Sequence, residues 1–126
     1  MTTWTTDELD RIGAADELEI TTARADGSLR RRTPIWVVRV GDELFVRSYR
    51  GADGAWYRHA STAGQAHVNA GGIERDVTVE DPGDDVRPAI DAAYRTKYAR
   101  YGDSFLQPMF AAGARAATLR LTPQEN

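Results

Sequence analysis

Residues 46–59, VRSYRGADGAWYRH, carry more chemistry than a connecting loop needs. Gly51, Asp53 and Gly54 suffice to turn the chain. Arg47, Ser48, Arg50, Trp56, Tyr57 and Arg58 are surplus to turning. Arg47 and Arg50 offer planar forks of N–H donors that match phosphate oxygens better than an ammonium does. Ser48 adds a hydroxyl donor, and Gly51 lets the backbone approach closely and present its N–H groups. A helix starting near Ala55 points its positive end at the same place. The stretch is therefore expected to form a phosphate cradle. For each arginine the alternative is a surface salt bridge, which contributes little.

Strand alternation sets a condition on this cradle. Leu44, Val46 and Ser48 share one face, while Phe45, Arg47 and Tyr49 share the other. Arg47 and Ser48 reach one pocket only where the strand bulges or ends; otherwise Ser48 and Arg50 are the pair. Trp56 and Tyr57 either stack on an aromatic ligand or join the core, the commoner use of aromatics beside a barrel. Lys97 is the only lysine and shares a helical stripe with Ile90, Tyr94 and Tyr101. Its ammonium either snorkels to solvent or meets a cofactor phosphate or carboxylate.

Other chemistries find no support. His59 and His67 are the only histidines, and neither has a partner at metal-ligand spacing, so no metal site is expected. A haem iron would need one of them as its axial ligand. With no cysteine there is no thiol nucleophile, thiolate metal site or disulfide frame. No nucleophile elbow, P-loop or paired-carboxylate motif is present.

Charge narrows the partner. Arg24 to Arg58 contains eight Arg against four acidic residues, a net +4, in a chain whose total is −3. The remainder therefore sums to −7. An acidic protein with one basic segment suits a small anionic cofactor held locally, not nucleic acid, which needs a broad basic surface. The alternative is that these arginines cover a solvated sheet face. No apolar run reaches the roughly 18 residues of a membrane helix, and the start lacks the features of a signal peptide. A cytoplasmic protein without membrane contact is the expectation. The 126 residues fit a single domain, 1–126, with one core.

The elements that must position these groups can be traced along the chain. Thr5 and Glu8 have capping-box spacing, predicting a helix from about Asp7 to Ala14. ELEITTARADGSLRRRTPIWVVRV reads as two strands around Asp26-Gly27, and Gly41-Asp42 turns into ELFVRSY, completing a meander. AWYRHAST suits a short helix; QAHVNA and IERDVTVE suit two strands around Gly71-Gly72. Asp84 or Asp85 can cap the next helix, whose apolar stripe holds Val86, Ile90 and Tyr94. Arg87, Asp91 and Arg95 read as a solvated ion-pair row. A helical piece near Ser104–Ala111 precedes a last strand, AATLRLT. The fold class is mainly β: a six-stranded antiparallel barrel with capping helices. Pro34 cannot donate to a ladder, so it marks an edge or a bulge that would free neighbouring N–H groups. Trp36 and Val38 belong in the core on the edge-strand reading.

Three blocks carry a family resemblance. TARADGSLRRRTPIW, with Thr22, Arg24, Asp26-Gly27, Arg30 or Arg32, Thr33-Pro34 and Ile35, resembles the segment that opens the barrel of deazaflavin-dependent nitroreductases. GDELFVRSYRGADGAWYRHA is similar to that family's strand, phosphate loop and Trp-Tyr helix, with Arg50-Gly51 where the family has Gly-Gly. YRTKY, Tyr94 to Tyr98, is similar to its late aromatic and basic helix. The chain thus resembles bacterial domain-of-unknown-function proteins of the FMN-binding split β-barrel clan. The resemblance implies a split barrel, commonly a homodimer, binding FMN or a deazaflavin coenzyme. It implies that Thr33, Pro34, Ile35 and Trp36 line the ring system. It makes Arg32, Thr33, Pro34, Arg47, Ser48, Arg50, Gly51, Trp56 and Lys97 the candidate cofactor-binding residues. The activity implied is an oxidoreductase moving hydride through the cofactor to a small acceptor, with Tyr94, Tyr98 and Tyr101 as available proton donors. The alternatives are a non-catalytic module that carries or senses a small anion, and a barrel whose pocket is filled and whose role is structural.

Overall fold

The computed structural model describes residues 3–124. Helix α1 (Thr6–Ala14) opens on the expected capping box: Thr5 Oγ1 accepts from the Glu8 N–H at 3.1 Å, and Glu8 Oε1 accepts from the Thr5 N–H at 2.9 Å. Strands β1 (Leu18–Thr21), β2 (Thr33–Ile35), β3 (Val37–Val40) and β4 (Glu43–Arg47) follow. Next come α2 (Ala55–Ala63), β5 (Gln65–Ala70) and β6 (Ile73–Glu80). Helices α3 (Arg87–Tyr98), α4 (Asp103–Leu106) and α5 (Ala112–Ala116) lead to β7 (Thr118–Pro123).

The strands form one antiparallel sheet in the order β2-β1-β5-β6-β7-β4-β3. The sheet has seven strands where six were expected, because the second strand of the reading is broken at Trp36. Ile35 pairs with Leu18 of β1, whereas Val37 pairs with Val46 of β4, at the other end of the sheet. The chain thereby steps from one sheet edge to the other within two residues and draws the sheet into a nearly closed barrel. Around Asp26-Gly27 the arms stay together but the ladder thins to a single bridge, Ala23 with Leu29. There the Asp26 carboxylate accepts from the Ser28 N–H at 2.9 Å, an Asx-type turn.

Alternation along the strands divides the apolar side chains between two cores. Ile12, Leu18, Val37, Leu44, Val46 and Val68 fill the barrel interior. Val38, Phe45, Ile90, Tyr94, Tyr98 and Met109 pack outside it, beneath α3. Ile12 of α1 is fully buried among the strands, so its truncation to Ala would cost roughly 2–5 kcal/mol. Trp4 secures the same end, its Nε1–H donating to the Leu121 carbonyl at 2.9 Å.

Helix α3 departs from the reading in two places. Its N-cap is Val86, with no side-chain cap; Asp84 instead accepts from Arg87 Nη1 at 2.8 Å. Arg87 and Asp91 are buried, each 8% exposed; Arg87 pairs with Asp81 and Asp84, and Asp91 with Arg47 and Arg115, in place of a solvated row. Only Arg95 remains outside, its guanidinium 4.1 Å from the Phe110 ring centroid. The i,i+4 pattern is real, but the helix turns that face onto the sheet.

Candidate functional site

A cavity of about 710 Å³ opens where β4 ends, α2 begins and the chain breaks at Trp36. That volume falls within the range of small-molecule sites. Thr33, Pro34, Ile35 and Trp36 form one wall. Arg47, Ser48, Tyr49 and Arg50 form a second, Gly54, Ala55 and Trp56 a third, and Phe105, Pro108 and Met109 a fourth. Strand β4 ends at Arg47, which is how Arg47 and Ser48 come to line one cavity despite pointing oppositely in a regular strand.

Arg47 is the most constrained polar group in the site. Its side chain is fully withdrawn from solvent. Nε donates to Thr118 Oγ1 at 2.8 Å, and Nη1 donates to Asp91 Oδ1 at 2.7 Å and to the Met109 carbonyl at 3.0 Å. The guanidinium carbon also lies 5.2 Å from the Tyr94 ring centroid. Nη2, however, is buried without a partner. Buried polar groups are nearly always paired, so such an orphan calls for an explanation. Asp91 also takes Arg115 Nε at 2.9 Å on Oδ2. One carboxylate thus faces two guanidiniums beneath a cavity whose lining also includes Glu17.

The start of α2 adds fixed donors. The first N–H groups of a helix have no intrahelical partner, and Gly54 caps α2 with no side-chain bond. This contrasts with α1, whose N-terminus is closed by Thr5 and Glu8. Ser48 explains why residue 54 is glycine: a Cβ there would lie 2.4 Å from Ser48 Oγ. Arg50 is exposed at the rim, held by a 3.1 Å hydrogen bond from Nε to the Tyr49 hydroxyl, and meets no carboxylate among the described residues.

Seven of the nine candidate residues lie at or against this cavity. Thr33, Pro34, Arg47, Ser48, Arg50 and Trp56 line it. Gly51 is buried beside it, but its N–H is taken by the Ser48 carbonyl at 2.9 Å and so is not a free donor. The close approach it permits is to α5: at φ 64°, an added Cβ would stand 3.1 Å from the Gly113 carbonyl oxygen. Arg32 lies elsewhere, pairing with Glu19 at 3.5 Å and Glu74 at 3.3 Å. Lys97 also lies elsewhere, donating to the Val37 carbonyl at 2.7 Å beside a separate cavity of about 420 Å³. Burial lowers the Lys97 ammonium to about 8.

None of Tyr94, Tyr98 and Tyr101 is part of the cavity lining. The Tyr98 hydroxyl accepts from the Val37 N–H at 3.0 Å and donates to the Asp16 carbonyl at 2.8 Å. Tyr101 donates to Asp16 Oδ2 at 2.7 Å. Tyr94 is buried, and its hydroxyl finds no partner. Burial raises both Tyr94 and Tyr98 well above the ordinary phenol range. Their rings have a different use: Tyr98 stacks on Trp36 at 4.0 Å, with 6° between the planes. Trp36 therefore sits between the outer core and the cavity, not inside the barrel.

Asp91, Thr118 and the Phe105–Met109 segment were missed by the sequence reading. For Asp91 a signal existed: Arg87, Asp91, Tyr94 and Tyr98 follow a 4-3-4 spacing, a second buried face of α3.

Residues 8–121 match the model of a bacterial family described as "Uncharacterized protein conserved in bacteria (DUF2255)". The chain belongs to that family. No curated protein matches the DUF2255 chain in sequence. Solved structures resemble it in fold. An F420-H2 dependent reductase, FDR-A, superposes with a TM-score of 0.62 at 17% identity, covering 85% of this chain and 93% of that one. HutZ, the heme storage protein from Vibrio cholerae, gives 0.63 at 12% identity, covering 96% and 91%. The FAD and heme binding protein from Mycobacterium smegmatis gives 0.54 at 21%, covering 94% and 65%. These identities make the likeness one of fold. The DUF2255 chain is a split β-barrel of the kind the sequence resemblance implied, and among its described residues no helix is long and apolar enough to cross a membrane.

Proposed function

We propose that the cavity binds a flavin-type cofactor, FMN or a deazaflavin coenzyme, and that the protein is a cofactor-dependent oxidoreductase acting on a small acceptor. The observation that carries this reading is the buried Arg47, whose Nη2 has no partner, in a cavity that also holds Ser48, Arg50 and the uncapped start of α2. An orphaned donor on one wall of the cavity and free helix N–H groups on another fit a phosphate. Trp36 and Trp56 provide flat apolar walls for a ring system. When bound, the cofactor supplies the hydride chemistry.

The chain's own residues then have separable tasks. Asp91, Thr118 and the Met109 carbonyl hold the Arg47 guanidinium rigid, so no ordering is required when an anion arrives. Arg50 adds a second guanidinium from the rim, and Ser48 a hydroxyl. Phe105 and Tyr49, 64% and 59% exposed at the cavity, are apolar surface that a second copy of the chain in a homodimer would cover. Cytoplasmic residence belongs to the same reading.

A non-catalytic role, carrying or sensing the cofactor, is favoured by one observation: the Tyr98 and Tyr101 hydroxyls are engaged at Asp16, away from the cavity. Titration of cofactor-free protein with FMN and with deazaflavin coenzyme tests binding, and turnover with a reduced donor separates the two roles. Arg50→Ala is expected to weaken the preferred cofactor about tenfold, on the order of 1.4 kcal/mol. Unchanged binding of both cofactors by Arg50→Ala and Ser48→Ala would remove the assignment.

A further inference from the structure

A third cleft, of about 300 Å³, shares Thr33, Ala55 and Trp56 with the larger cavity. Arg24, Arg30 and Arg31 line it from the hairpin, and His59 lines it from α2. No carboxylate is part of its lining. Elsewhere on the sheet an exposed arginine meets acids, as Arg32 meets Glu19 and Glu74. Among the described residues Arg24, Arg30 and Arg31 form no such pair. Arg24 is instead tied down by backbone: its Nη1 donates to the Leu29 carbonyl at 2.9 Å. Arg30 likewise has Nη1 on the Ala23 carbonyl at 3.3 Å. Neutral acceptors orient these guanidiniums without cancelling their charge.

We propose that this cleft is an anion site in its own right, holding a phosphate-type polyanion between Arg24, Arg30, Arg31 and His59. It does not depend on the larger cavity being the flavin site. Like charges held together without counter-charge are destabilising, and they occur where a ligand supplies the missing sign. The cleft is too small for a ring system with its side chain, but it is large enough for a phosphate or a pyrophosphate.

A proton accompanies the anion. The ring of His59 is held below the usual imidazole range by burial first, then by the positive charges of Arg30, Arg58 and Arg24. These groups face it from the hairpin and from its own helix. At neutral pH His59 is therefore neutral in the free protein. An anion placed among the arginines reverses the local field and favours the imidazolium. Binding then takes up a proton at His59, so for an anion of fixed charge the affinity falls as pH rises from the free to the bound midpoint. The fall is at most about tenfold per pH unit, the limit for one proton.

The test is an NMR titration of the histidine ring signals, with inorganic pyrophosphate as the probe. Pyrophosphate is expected to raise the His59 midpoint by about one pH unit. The shift should vanish in Arg31→Ala, an exposed position whose loss leaves the core intact, and persist in Arg50→Ala. An unmoved His59 midpoint overturns the site, as does an equal shift in Arg31→Ala. A shift abolished by Arg50→Ala also overturns it, because the anion would then lie in the larger cavity.

Discussion

Arg47 Nη1 lies 2.7 Å from Asp91 Oδ1, and the arginine side chain has no contact with solvent. Two residues 44 positions apart thus meet outside the barrel, beneath α3. Breaking a buried pair leaves an uncompensated charge, which costs far more than the pair itself contributes. Asp91→Ala strands the buried Arg47 and releases the partly exposed Arg115. It is expected to lower the free energy of unfolding by roughly 3–5 kcal/mol, read from the urea midpoint at constant slope. A loss below about 1 kcal/mol would show that water satisfies the guanidiniums and that the site is not rigid.

Ser48 and Gly54 form a second dependent pair. A methyl at residue 54 meets Ser48 Oγ at 2.4 Å but Ser48 Cβ only at 3.5 Å. Gly54→Ala alone is expected to destabilise by about 1–3 kcal/mol through overpacking. In a Ser48→Ala background the same change should cost much less, because the clashing atom is gone. A double-mutant cycle by chemical denaturation measures the difference; additive values would contradict the geometry.

Tyr98 can be divided by chemistry. Tyr98→Phe keeps the ring stacked on Trp36 and removes the hydroxyl that accepts from the Val37 N–H. An edge-strand N–H is then left unpaired, for a cost of roughly 1–3 kcal/mol. Hydrogen exchange should report it as faster exchange at the Val37 amide with other β3 amides little changed.

Lys97 predicts a pH dependence. Burial lowers its ammonium from 10.5 to about 8, so the neutral amine forms in the folded protein while the unfolded chain still holds its proton. Between those two values the unfolded state binds more protons, and the unfolding free energy contributed by this group therefore rises with pH. Lys97→Met should flatten the rise. Amine-directed labelling at residue 97, located by peptide mass, should be half-maximal near pH 8; a midpoint above 10 would mean the ammonium is solvated.

Local signals were readable wherever local physics decides. The capping box of α1 and the alternation that puts Leu44 and Val46 inside and Phe45 and Arg47 outside both stand in the structure. What escaped was decided at a distance. Pro34 marked an edge or a bulge in TPIWVVRV, but IWVVRV is a continuous run of strand formers and nothing within it places the break at Trp36. Closure of the sheet breaks it, because Ile35 and Val37 must pair with opposite edges. Arg87 and Asp91 have the spacing of a solvated ion row as well as that of a buried face shared with Tyr94 and Tyr98, and the partners Arg47 and Asp81 decide for the buried one. The same holds in the site. The cradle's residue types were legible, but the withdrawal of Lys97 to the Val37 carbonyl follows from how α3 lies across β3.

The placement of β7 governs how the protein can be made. Residues 118–123 enter the sheet between β6 and β4, so until they are synthesised the earlier strands exist only as two separate fragments, β2-β1-β5-β6 and β4-β3. Each fragment has an open flank of unpaired N–H and C=O groups where β7 belongs. A nascent or truncated chain lacking β7 therefore exposes two adhesive edges at once. Assembly of the barrel waits for its last strand.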